Sequence, residues 1–280
     1  MTIGKTIKSR RKELGMTQEQ LAKAVFVTPQ AVSQWENEKS VPDVLNLGAI
    51  AHALQMNKGD LIGDEDYSKP SWLVRDQFFS PENMKRKLLE FAAKDGLPQL
   101  AKAVEYAWAK HDGQFRKVGP LSKEAVPYIV HPYMMTCQAH ALGIVDDTVL
   151  AACVLHDICE DCGVSPEELP FDVGVRNAVR ILTKPQDKSA FDNDAYYAAI
   201  GADRTAAIVK ALDRCNNIST MLLSFPVEKI IEYIGETERY VYPLLDKIKK
   251  EYDEYYDAVF VLKYQMLSVL ESAKAAIIRL

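Results

Sequence analysis

The chain has 280 residues, 48% of them hydrophobic and 26% charged, a composition that supports a packed core and excludes disorder as the main state. No stretch approaches the roughly 18 uncharged apolar residues of a membrane span. The segment from Met1 to Gly15 puts charges where an export signal needs an apolar run, so a cytoplasmic protein is expected. Five scattered cysteines then read as reduced thiols. The net charge of −5, taken as a total, argues against nucleic acid as a partner. Split by segment, however, residues 1–62 hold eight Lys/Arg against six Asp/Glu, a charge of +2, and the remainder holds 26 against 33, a charge of −7.

In chain order, Ile3, Ile7 and Leu14 fall at helical spacing and Gly15 suits a left-handed cap. Thr17 to Gln20 matches a capping box, opening a second helix with Leu21, Ala24 and Val25 on its buried face. Thr28-Pro29 predicts an N-cap with proline in the first turn of a third helix, Gln30 to Asn37. Pro42-Asp43 starts a fourth, carrying Val44, Leu47, Ala51 and Leu54. A polar stretch from Gly63 to Ser71 reads as a linker. Ser80-Pro81 opens a second run of helices, and strand-like alternation is scarce, so the expected fold is all-α. The tail, Lys247 to Tyr256 and then Val259 to Leu280, reads as amphipathic helix that covers the core or forms a dimer contact.

Met16 to Leu54 resembles the Cro/CI-type (xenobiotic-response) helix-turn-helix over about 60 residues. The resemblance implies a five-helix domain over residues 1–62, with its third helix in the major groove of DNA. Gln30, Ser33 and Gln34 would then face bases, with Gln18 and Lys39 placed for phosphates; glutamine suits bidentate readout of adenine. Val32 and Trp35 would pack inside. Phe26 and Glu38 stand where that family usually has glycine. Docking to protein in place of DNA is the alternative.

Further on, the uncharged run Thr148 to Leu155 leads into His156-Asp157-Ile158-Cys159-Glu160-Asp161. On a continuous helix, His156 with Glu160 and Asp157 with Asp161 are four apart and share a face. Three carboxylates and an imidazole crowded on a buried face repel one another, and a divalent cation relieves that repulsion. From Val209 to Asn217, Lys210, Asp213, Arg214 and Asn217 share one arc, opposite Ile208, Ala211, Leu212 and Cys215. Cys159 and Cys162 have CxxC spacing without a second ligand pair and read as small packed residues. His52, His111 and His140 show no obvious partner and read as structural or surface histidines.

These runs resemble the HD phosphohydrolase superfamily, and more narrowly the RelA/SpoT-type alarmone hydrolase domain, over roughly residues 85–250. The motifs are HDGQFRK (His111 to Lys117), PYIVHP (Pro127 to Pro132), HDICED (His156 to Asp161), ILTKP (Ile181 to Pro185) and VKALDRCNN (Val209 to Asn217). Glu236-Thr237 followed by Tyr242-Pro243-Leu244 looks like the segment that closes such a domain.

The resemblance implies a larger all-helical HD-type domain over 80–250, after a linker at 63–79 and before a helical extension at 251–280. His131, His156, Asp157 and Asp213 would hold one metal, Mn²⁺ or a similar ion. Glu160 or Asp161 would position or deprotonate the attacking water. Arg116 and Lys117, with Lys184, Lys210 and Arg214, would face phosphates. Asn217 and Tyr197 would border the nucleoside. The implied reaction removes the 3′-pyrophosphate of ppGpp or pppGpp. About 30 residues follow Lys250, so the nucleotide-synthesising half of the longer family members is not expected. Val118 to Val126 is longer than the family's usual link, and Asn216 replaces its usual histidine. Another nucleotide, such as an adenosine alarmone or NADPH, or a nucleotide-sensing regulator with little turnover, are the rival readings. A homodimer on a two-fold DNA operator is the default expectation for the helix-turn-helix.

Overall fold

A computed structural model describes residues 3–42, 44–57, 61, 76–116, 126–185 and 191–278. The chain forms two compact units, Met1–Lys69 and Pro70–Leu280. Among the described residues the regular structure is helical, and the nearest thing to a strand is one antiparallel bridge, Phe115 to Pro127.

The first unit contains α1 (Ile3–Glu13), α2 (Gln18–Ala24), α3 (Pro29–Glu36) and α4 (Val44–Ala53). The expected fifth helix and most of the expected linker lie outside the described residues. Thr17 and Gln20 complete the capping box, with Thr17 Oγ1 accepting from Gln20 N at 3.1 Å and Gln20 Oε1 accepting from Thr17 N at 2.7 Å. Thr28 Oγ1 caps α3 by accepting from Ala31 N. Ile7, Leu21, Val32, Trp35, Ile50 and Leu54 are buried together, so each helix turns one apolar face into a shared core.

Phe26, in the turn before α3, and Glu38, just after it, both sit at φ +58°. These are the two positions where the resemblance has glycine, and the left-handed backbone explains that preference. Phe26 is 95% exposed, so its side chain gains no burial in return for the strain. Phe26→Gly is expected to stabilise this unit by about 0.5–1 kcal/mol, read as a higher thermal midpoint; an unchanged or lower midpoint would refute the strain argument.

The second unit begins with a 3₁₀ turn (Gln77–Phe79) and runs through α5 (Pro81–Asp95), α6 (Pro98–Lys110), α7 (Val130–Ala141) and α8 (Asp147–Leu155). Then come α9 (Ile158–Cys162), α10 (Val173–Leu182), α11 (Asn193–Gly201) and α12 (Arg204–Ser224). α13 (Val227–Glu236), a π-helical turn, α14 (Tyr242–Glu251) and α15 (Tyr256–Ile278) close it.

Helix α8 is the central element. From Val149 to Leu155 every residue is buried, and it packs against α6, α7, α10 and α12. An element so enclosed tolerates no charge along its length, which is why Thr148 to Leu155 is uncharged. The tail resolves one open question: α15 lays Val259, Leu262, Met266 and Leu270 into the core and packs on α12 and α14.

The structure corrects one geometric expectation. His156 to Asp161 is not a continuous helix; α8 stops at Leu155, His156 and Asp157 form a turn, and α9 restarts at Ile158. Asp157 has φ −101° and ψ −1°, in the bridge region between helix and strand. The four side chains therefore do not share a helical face. The break leaves His156 and Asp157 at the buried end of α8 and carries Glu160 and Asp161 to an exposed edge.

Candidate metal centre

Four of the predicted residues meet at the end of α8. His131 comes from the first turn of α7, His156 and Asp157 from the break after α8, and Asp213 from the middle of α12. One ligand atom from each of His131, His156 and Asp157 lies within 4.8 Å of the others. His156 Nε2 is 2.9 Å from Asp157 Oδ2 and 3.2 Å from His131 Nε2. Asp213 Oδ1 lies 3.3 Å from His131 Nε2 and 3.6 Å from His156 Nε2.

The far ring nitrogens decide what these atoms offer. His131 Nδ1 meets Asn216 Oδ1 at 2.7 Å, and His156 Nδ1 meets the Cys153 carbonyl at 2.9 Å. Both acceptors require a proton on Nδ1, so in the neutral rings both Nε2 atoms point a lone pair at each other and at two carboxylates. Such a set is satisfied only by a cation at its centre, a proton or a metal. Two imidazoles and two carboxylates fit a divalent first-row ion, with second-sphere acceptors on both histidines as metal sites require.

The surrounding charges fit the same account. Burial works against His156, but Asp157 and Asp213 outweigh it and hold the imidazole well above the usual histidine range. Burial likewise works against Asp213, and Lys210 with the two histidines hold it well below the usual carboxylate range. Lys210 Nζ is 2.9 Å from Asp213 Oδ2, both groups being nearly buried.

Tyr128 donates to Asp157 Oδ2 at 2.6 Å and also reaches Asp161. Glu160 accepts the Lys184 backbone N–H at 2.6 Å. Partial burial raises both carboxyls, Glu160 and Asp161, above the usual range, and the nearby Asp157 charge adds to it.

The other predicted positions divide. Arg116, half-buried, donates to Asn217 Oδ1 at 3.0 Å, and Asn217 in turn donates to Asp213 at 2.5 Å. Lys184 lies over the Phe191 and Tyr196 rings, its pKa lowered by burial and by Lys210. Arg214 is buried, 2.6 Å from Glu236, and donates to the Tyr197 hydroxyl at 3.1 Å. Tyr197 itself donates to Glu236 and stacks on Tyr240. Lys117 and the long link from Val118 lie outside the described residues, save Val126.

In the first unit Gln30, Gln34 and Lys39 are exposed and Ser33 is half-buried, while Gln18 donates its side-chain amide to Glu36 at 2.8 Å. Three contributors escaped the sequence reading: Tyr128, Asn216 as partner of His131, and Glu236 as partner of Arg214. Asn216 lies three residues after Asp213 on one helix, a spacing that could have found it.

Two of the histidines with no obvious partner in the sequence are packed structural ones. His140 pairs with Asp95 at 2.9 Å and stacks on Phe91; His111 meets Gln114 at 2.7 Å and stacks on Tyr128. Cys162 Sγ is 3.7 Å from His111 Nδ1, and burial raises the Cys159 thiol to about 11.

Residues 7–61 match the helix-turn-helix family. The chain is 40% identical to the HTH-type transcriptional regulator DicA of Escherichia coli over 91 residues, 32% of this chain and 66% of that protein. It is 32% identical to the guanosine-3′,5′-bis(diphosphate) 3′-pyrophosphohydrolase MESH1 of Xenopus tropicalis over 124 residues, 42% of this chain and 67% of that protein. A solved structure, described as a metazoan ortholog of SpoT that hydrolyzes ppGpp, is 20% identical, covering 62% of this chain and 94% of that one at a TM-score of 0.49. The chain spans about a fifth of the length of the long bacterial relatives it matches. No described helix is long and apolar enough to cross a membrane. On the MESH1 match, the chain belongs to the guanosine-3′,5′-bis(diphosphate) 3′-pyrophosphohydrolase family.

Proposed function

We propose that the chain is a metal-dependent hydrolase that removes the 3′-pyrophosphate of ppGpp or pppGpp, carrying a DNA-binding helix-turn-helix over residues 1–62. Residues 80–250 would form the hydrolase, completed by the extension at 251–280. The observation that carries this reading is the meeting of two Nε2 lone pairs with Asp157 and Asp213 around one point.

His131, His156, Asp157 and Asp213 would hold the ion, with Mn²⁺ the expected one. When bound, it would lower the pKa of water and offset charge on the scissile phosphate. Glu160 or Asp161, at the exposed edge and with raised carboxyls, positions or deprotonates the attacking water. Arg116 is the cation best placed for phosphate, with Lys117 and Lys184 adding charge. Lys210 and Arg214 are already tied to Asp213 and Glu236, so they orient the pocket and balance its charge. Asn217 and Tyr197 border the nucleoside.

The test is a nucleotide panel scored for pyrophosphate release with Mn²⁺. Turnover is expected on ppGpp, falling at least ~100-fold in Asp161→Asn, in line with loss of general acid–base help. Absence of release from every 3′-phosphorylated nucleotide would refute the proposal.

A second reading, a regulator that senses the nucleotide, is favoured by the helix-turn-helix match on the same chain. It requires nucleotide-dependent operator affinity with negligible turnover. In either case the chain would act in the cytoplasm, in the stringent response, and grip DNA as a homodimer through Gln30, Ser33 and Gln34, with Gln18 and Lys39 on phosphates.

A further inference from the structure

The second unit holds a cavity of about 710 Å³ on the far side of Asn216, between α5, α7, α12 and α15. That is within the roughly 300–1,000 Å³ of small-molecule sites. Most of its wall is apolar: the rings of Phe78, Phe79 and Phe91, with Met84, Met134 and Cys137. Phe91 is held flat by its stack on His140, 3.7 Å between ring centres.

Asn83, Arg86 and Lys87 of α5 line it too, their polar ends bonded to one another or to Glu90, and a second polar patch surrounds Gln138 and Asn216. Gln138 donates to Gln265 Oε1 at 3.1 Å, and Gln265 donates to Ser219 Oγ at 2.8 Å. These bonds fix the amides and leave the Gln138 carbonyl oxygen without a partner among the described residues. Asn216 is only 5% exposed, and its carbonyl oxygen is held by His131. Among the described residues its amide nitrogen has no hydrogen-bond partner either, on a residue that lines the cavity. An amide donor and an amide acceptor, each open to a guest, thus stand beside aromatic walls.

We propose that this cavity is a second small-molecule site, for a compact aromatic compound with an amide-like donor–acceptor edge, and that its occupancy is communicated to His131 through Asn216. The aromatic walls take the ring, Asn216 donates to the ligand's acceptor, and Gln138 accepts from its donor. A ligand that pulls on the Asn216 amide alters the bond that sets the His131 tautomer. Binding stands apart from the hydrolase reading; only its effect on catalysis rests on His131 acting as a metal ligand.

The test uses the full chain, free of metal and nucleotide. N-phenyl-1-naphthylamine serves as fluorescent probe, benzanilide as the amide competitor and toluene as a competitor without a polar edge. Saturable binding near one equivalent is expected, with benzanilide displacing the probe at least tenfold better than toluene. Ala141→Trp, at a lining residue that is itself exposed, should weaken the probe at least tenfold. Phe78→Ala, at the exposed rim, should weaken it as well. In nitrogen-edited spectra of the histidine rings, benzanilide should shift His131, while His52 in the other unit stays fixed. Absent saturation, equal affinity in both variants, or equal competition by toluene overturns the site; a still His131 overturns the communication. Because no turnover is measured, failure here leaves the hydrolase proposal untouched, and an inactive hydrolase leaves this one untouched.

Discussion

Asp157→Asn is expected to reduce pyrophosphate release by at least ~10³ and to weaken Mn²⁺ binding more than ~100-fold, exceeding the 10–100-fold typical of residues one layer further out. The substitution keeps the size of the side chain and its place at the break after α8, so the helices on either side should be unchanged by circular dichroism. What it removes is charge. Asp157 Oδ2 is the closest neighbour of His156 Nε2, at 2.9 Å, and the acceptor of the Tyr128 hydroxyl at 2.6 Å. An amide in its place offers one neutral oxygen and an NH₂ that is repelled by a cation. Calorimetric titration of Mn²⁺ into wild type and variant, beside a pyrophosphate assay, decides the matter. Retained turnover with retained metal affinity would remove Asp157 from the centre.

The residues of this centre were legible in the sequence because each sits in a short motif, and the local helices were legible because their ends carry their own chemistry. Thr17, Thr28 and Ser80 cap the helices they were expected to cap. The break at His156-Asp157 was not legible. A spacing of four is the same on a continuous helix and across a turn between two helices, and no glycine or proline marks the point. What stops α8 is tertiary: the enclosed helix ends where His156 and Asp157 meet His131 of α7 and Asp213 of α12. Partners far along the chain were equally out of reach. His140 finds Asp95 across 45 residues, and Arg214 finds Glu236 across 22, contacts that no local pattern encodes. The tail was legible as amphipathic, but its choice between core and solvent needed the packed α12 beside it.

Glu36→Ala is expected to destabilise the first unit by about 3–5 kcal/mol, the usual penalty for leaving a buried charge without its partner. Glu36 is 3% exposed and Arg11 8%. Arg11 Nη2 donates to Glu36 Oε2 at 2.8 Å, its Nε donates to the other carboxylate oxygen, and its Nη1 donates to the Met16 carbonyl at 2.6 Å. Gln18 adds a fourth bond at 2.8 Å. One carboxylate thus joins α1, the start of α2 and the end of α3, the helix that would enter DNA. Removing it strands a guanidinium with a single carbonyl. Replacing both members, Arg11→Met with Glu36→Leu, should cost far less, because the desolvation penalty leaves with the charges. Burial works against Glu36, yet Arg11 and Gln18 hold its carboxyl below the ordinary 4.5. A depressed folded-state value contributes stability above that ordinary value, and the contribution fades as pH falls through the lower, folded one. The wild-type unit should therefore lose stability below about pH 4.5, a loss the double variant should not share. Hydrogen exchange over residues 3–57 reads this unit separately from the rest of the chain. A loss under about 1 kcal/mol in Glu36→Ala would put the pair among surface-like contacts, and the alignment of α3 would then have to come from the apolar core alone.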